Sequence, residues 1–122
     1  MKYEPLWERF EAIAPTGARC TVQFLRAGFL TLGDRPELYF FRITPVAGVA
    51  ENASEEAAVG ISGDALKRWE RARRSLSREE KIDLAGLLLK KNIEAAKTLD
   101  SNNLFIRDDE LAALARELGI PG

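Results

Sequence analysis

Residues 64–81, DALKRWERARRSLSREEK, hold seven of the chain's eighteen basic residues and four of its acids, a local charge of +3 in a protein whose net charge is -1. Read as a helix at about 100° per residue, Lys67, Arg71 and Arg74 fall within about 60° of one another, with Ala65, Trp69, Ala72 and Leu76 opposite. Arg78 extends the stripe if the helix continues. Guanidinium forks bind carboxylate or phosphate at two points, so five arginines to two lysines suit recognition of an anionic partner. A solvated helix face is the other reading. Asp64 to Arg68 and Glu70 to Arg74 are acid-before-base pairs at i, i+4, each worth a few tenths of a kcal/mol. Lys67–Arg71 and Arg71–Arg74 are like-charge neighbours that cost similar amounts unless an anion uses them. Lys67, Arg71, Arg74 and Arg78 are therefore the candidate partner-binding residues. An acidic protein is the preferred partner, because Trp69 points inward and leaves the stripe without the stacking rings that a nucleic acid would use.

Other chemistries find less support. The chain has no histidine and one cysteine, which removes Ser-His and Cys-His nucleophilic mechanisms and cysteine-built zinc sites. Cys20 alternates with Val22 and Phe24 on the apolar side of a predicted strand and reads as a buried, inert thiol. Gly28 and Gly33 have Walker A spacing, but Asp34-Arg35 stands where Lys-Ser/Thr is required. The segment from Asp100 lacks the Gly and the final bidentate Glu of a calcium loop. No dinucleotide fingerprint occurs, and no cofactor, metal or catalytic residue is assigned. Acid–base catalysis by carboxylates on a neutral substrate stays open as an alternative. The two acidic clusters, however, have structural explanations: Asp108, Asp109 and Glu110 suit a helix N-terminus, and Glu51, Glu55 and Glu56 a surface loop.

The elements that must carry these residues follow from pattern. Pro5 and the spacing of Leu6, Trp7, Phe10 and Ile13 predict an N-terminal helix ended by Pro15-Thr16-Gly17. RCTVQFL alternates as a half-buried strand. FLTL and ELYFFRITPV, joined by Gly33-Asp34-Arg35-Pro36, predict an antiparallel pair whose second member is apolar on both faces and ends at Pro45. Residues 47–56 read as a loop, and AAVGI as an edge strand. Ser62 or Asp64 opens a helix over 64–75. Ser77 and Glu80, at capping-box spacing, open another over 78–99, although one continuous helix is an alternative. In the second, Ile82, Ala85, Gly86, Leu89, Ile93 and Ala96 form a stripe that Leu84, Leu88, Ala95 and Leu99 widen, marking a central helix. Leu87 falls outside it and is a candidate dimer contact. LFIR predicts a final short strand, followed by a helix from Asp108 that Gly119 caps.

With 122 residues and 46% hydrophobic content, the chain is read as one compact domain over 1–122. The expected fold is α+β: a mostly antiparallel sheet of three to five strands covered by a long central helix, with N- and C-terminal flanking helices. A cytoplasmic location is expected from the lone cysteine and the charged N-terminus, and no run approaches a membrane span. The function expected is that of a non-catalytic binding or regulatory protein meeting an acidic protein partner, with homodimerisation possible. The alternatives are a nucleic-acid accessory protein and a carboxylate enzyme.

Overall fold

The computed structural model describes residues 8–46 and 54–120. Four strands come first: β1 (Arg9–Ile13), β2 (Arg19–Phe29), β3 (Glu37–Pro45) and β4 (Glu55–Ile61). Helices α1 (Gly63–Ala72) and α2 (Arg78–Glu94), strand β5 (Phe105–Ile106) and helix α3 (Asp108–Leu118) complete the order. The fold is mixed α+β. The sheet runs β1-β2-β3-β4-β5, antiparallel through β4, with β5 joined parallel to β4 after the two-helix crossover.

Strand alternation assigns the two faces of the sheet. Val22, Phe24, Tyr39, Phe41, Ile43, Val59 and Ile61 are buried on one side, where they join Trp69, Leu84, Leu89, Leu111 and Leu118 in a common core cluster. α2 lies against β1, β3 and β4 and also against α3, while α1 packs on α3. At 17 residues α2 is the longest helix among the described residues.

The expected N-terminal helix is corrected in the part that can be seen: Arg9–Ile13 is a strand. Phe10 pairs with Val22 and Ala12 with Cys20, which turns those two inward and leaves Ile13 47% exposed. A turn closed by Ala14 and Gly17, the latter at φ 87°, folds the segment back along β2. Ladder pairing there overrides the helical spacing of its apolar residues. Pro5, Leu6 and Trp7 lie outside the described residues.

Other boundaries move as well. RCTVQFL and the start of FLTL merge into β2, one strand of 11 residues with a bulge between Phe24 and Arg26. β3 is an interior strand and ends at Pro45 as expected, but Leu38 and Phe40 on its second face are only half-buried and lie outside the core cluster. β4 begins at Glu55, inside the expected loop, and is not an edge, because β5 pairs with Gly60 and Ile61. The rest of that loop, 47–53, lies outside the described residues.

The two-helix reading of 64–99 holds. Ser77 accepts from the Glu80 N–H at 3.1 Å while Glu80 accepts from the Ser77 N–H at 2.8 Å, the reciprocal cap anticipated from their spacing. Leu76, 7% exposed, anchors the link between the helices in the core. α2 stops at Glu94 rather than Leu99, with Ala96 at φ 53° turning the chain away. Its buried set also includes Asp83 and Asn92, which the apolar stripe omitted. Leu87 packs, half-buried, against the core. Gly119 ends α3 in the left-handed conformation, as expected of a C-cap.

Candidate functional site

α1 is fixed before its outer face is considered. The Ser62 side chain accepts from the Ala65 N–H at 3.2 Å and donates to Asp34 Oδ2 at 2.5 Å, tying the helix start to the β2–β3 loop. Gly63 permits this contact, since a Cβ there would lie 2.0 Å from the Asp34 carbonyl oxygen and 2.7 Å from that of Arg35. Ala65 and Trp69 are buried beneath, the inward tryptophan anticipated from the pattern. The outer face therefore projects from a helix held at three points.

Of the four candidate residues, Lys67 and Arg71 stay together on that face. Both are exposed, one turn apart, and with Glu70 they line a shallow depression. Neither makes a hydrogen bond or ion pair among the described residues. Arg74 lies beyond the end of α1 and forms a two-point contact with Glu80, Nη1 to Oε1 at 2.9 Å and Nη2 to Oε2 at 2.7 Å. Arg78, in the first turn of α2, has its Nη1 3.7 Å from Glu8 Oε1 and its guanidinium 5.4 Å from the centre of the Phe24 ring. The break between helices thus separates a stripe that one continuous helix would have aligned.

The neighbouring cations are also placed. Arg68 reaches across to α3, donating from Nε to Asp108 Oδ1 at 2.8 Å and from Nη2 to Oδ2 at 2.5 Å, in place of the anticipated pair with Asp64. This contact holds the Asp108 carboxyl below its usual range. Arg73 stacks on the Trp69 ring at 4.3 Å. The Glu80 carboxyl is lowered to about 2, chiefly by the Arg74 guanidinium and then by the Ser77 cap, against the opposing effect of burial.

A pocket of about 320 Å³ opens beside Lys67, between the β2–β3 loop and the α1–α2 link. It brings together three carboxylates, Asp34, Glu37 and Glu70, and two ammonium groups, Lys67 and Lys81. Glu37 accepts from the Tyr39 hydroxyl at 2.6 Å and from Lys81 Nζ at 3.2 Å, and Asp34 accepts from Ser62. Two of the three acids are thus held by donors, an arrangement suited to bracing the loop against the helices. Their convergence is invisible in the sequence, where 36 positions separate Asp34 from Glu70.

Elsewhere, Glu56 pairs with Arg26 at 2.7 Å, and Glu55 is exposed at the start of β4. Asp108, Asp109 and Glu110 occupy the first turn of α3. Glu51 lies outside the described residues. Cys20 is half-buried, its thiol contacts the Ala12 carbonyl at 3.7 Å, and burial pushes its pKa up. Among the described residues no three carboxylate or thiol groups cluster as a metal site, and no helix is long and apolar enough to cross a membrane. In comparisons with protein-family models, characterised proteins and solved structures, nothing significantly matches this chain.

Proposed function

We propose that this is a non-catalytic binding protein whose α1 outer face meets an acidic protein partner through Lys67 and Arg71, with Arg74 and Arg78 at its margin. The observation that supports it is the pairing of two exposed like charges, one turn apart, neither of them in an ion pair among the described residues although Glu70 lies between them, on a helix anchored by Ser62, Gly63 and Trp69. Such an arrangement costs a little in the free protein and is repaid when carboxylates approach. Arg74 has its fork taken by Glu80 and so contributes positive field more than a direct contact.

The test is fluorescence anisotropy with a labelled Asp/Glu-rich peptide. The double reversal Lys67→Glu/Arg71→Glu should weaken binding by more than about tenfold while leaving the thermal midpoint unchanged. Equal affinity of the double variant and the parent protein removes the proposal.

A further inference from the structure

The second face of the sheet, on the side away from the helices, is rich in arginine. Ladder register puts Arg9, Arg19, Arg26 and Arg42 on this face together with Glu11 and Glu56, and alternation past Phe105 adds Arg107. Five arginines against two glutamates leave a local +3, in a chain whose net charge is -1. Glu56 is engaged by Arg26, whereas Arg9, Arg19 and Arg42 have no acid partner among the described residues.

Between these charges runs an apolar floor. Leu38 and Phe40 of β3 are half-buried without belonging to the core cluster, as is Phe105 of β5. The Phe105 ring packs closely over Gly60: a Cβ there would stand 2.7 Å from its Cδ1 and 3.5 Å from Leu38 Cδ2. Each ring is topped by a guanidinium, Arg26 at 4.3 Å over Phe40 and Arg107 at 4.8 Å over Phe105. The face therefore offers two arginine-covered rings flanked by Arg9, Arg19 and Arg42, which have no acid partner among the described residues.

We infer that this sheet face is a docking surface for single-stranded nucleic acid. Bases stack on guanidinium planes and aromatic rings alike, and phosphates pair with arginine forks, so one ligand uses both halves of the arrangement. An acidic polypeptide would use the arginines but not the rings. A second copy of the chain would bring +3 against +3. A duplex keeps its bases stacked inside and leaves the rings idle. This surface is opposite the helix layer and independent of Lys67 and Arg71.

The experiment is fluorescence anisotropy of the full chain with a labelled oligouridylate, the corresponding single-stranded DNA, a duplex of the same length and the Asp/Glu-rich peptide. Single strands should bind, with log affinity falling against log salt at a slope of about -2 if three phosphates are engaged. Phe40→Leu, which keeps an apolar side chain and removes the ring, should weaken binding about tenfold with the slope unchanged. Arg42→Gln should weaken it and flatten the slope by about 0.7. The Lys67→Glu/Arg71→Glu variant should bind oligonucleotide like the parent. Duplex binding as tight as single-strand binding, displacement of the oligonucleotide by the acidic peptide, or parental affinity in both Phe40→Leu and Arg42→Gln would overturn the assignment. Self-association altered by Arg42→Gln, with no oligonucleotide bound, would give the face to a second copy instead.

Discussion

Arg74 closes both nitrogens of its fork on the two oxygens of Glu80, six residues on, at 2.9 and 2.7 Å, and so joins the start of the α1–α2 link to the cap of α2. Glu80 is 8% exposed and also accepts from the Ser77 N–H, so one carboxylate serves as a cap and as the acceptor of a charge-assisted pair.

This double duty makes Glu80 an acid-sensitive contact. Its pKa is lowered in the folded protein to about 2 from an ordinary value of 4.5. A lowered carboxylate contributes stability that is present above the unfolded value and disappears as pH falls through the folded one. Glu80→Gln should therefore cost about 1–2 kcal/mol at neutral pH and reduce the loss of stability between pH 4.5 and 2. Urea unfolding of parent and variant across that range measures both effects.

Two glycines should respond differently to the same added methyl. At Gly63 the new Cβ would meet backbone oxygens of Asp34 and Arg35, at 2.0 and 2.7 Å, which can yield only if the β2–β3 loop detaches from α1. Gly63→Ala should cost about 3 kcal/mol or more. At Gly60 the obstacle is the Phe105 ring, 2.7 Å away at the rim of a two-residue strand, where a side chain can turn aside. Gly60→Ala should cost about 1 kcal/mol. Denaturant midpoints at constant m-value distinguish the two.

Tyr39 is buried, and its hydroxyl donates to Glu37. Burial first and the adjacent carboxylate second raise its pKa well above the ordinary phenol value of 10. A raised pKa means stability that is intact below the unfolded value and is lost as pH climbs toward the folded one. Absorbance titration should show Tyr39 resisting ionisation above pH 10 until the protein unfolds, and Tyr39→Phe should abolish that signal.

Local codes were readable from the chain. Ser77 and Glu80 announced their cap, Gly119 its left-handed turn, and the alternation through Cys20, Val22 and Phe24 its strand, because each depends on residues within a few positions of one another. The N-terminal segment misled for the converse reason: Phe10 and Ile13 suit a helix, and only the presence of β2 alongside makes the strand preferable. Asp83 and Asn92 were missed because α2 is enclosed on more sides than one apolar stripe describes.

The amphipathic character of 63–72, with Trp69 inward and Lys67 and Arg71 outward, was written in the order of its residues, since helical spacing alone sets those directions. Which cations remain open to a partner was a matter of three-dimensional neighbours: Glu80 takes Arg74 and Asp108 takes Arg68. The arginine-covered sheet face belongs to the same category. Arg9, Arg26, Arg42 and Arg107 come from four different strands or strand ends, and it is register across the ladder, a long-range property, that brings them onto one surface.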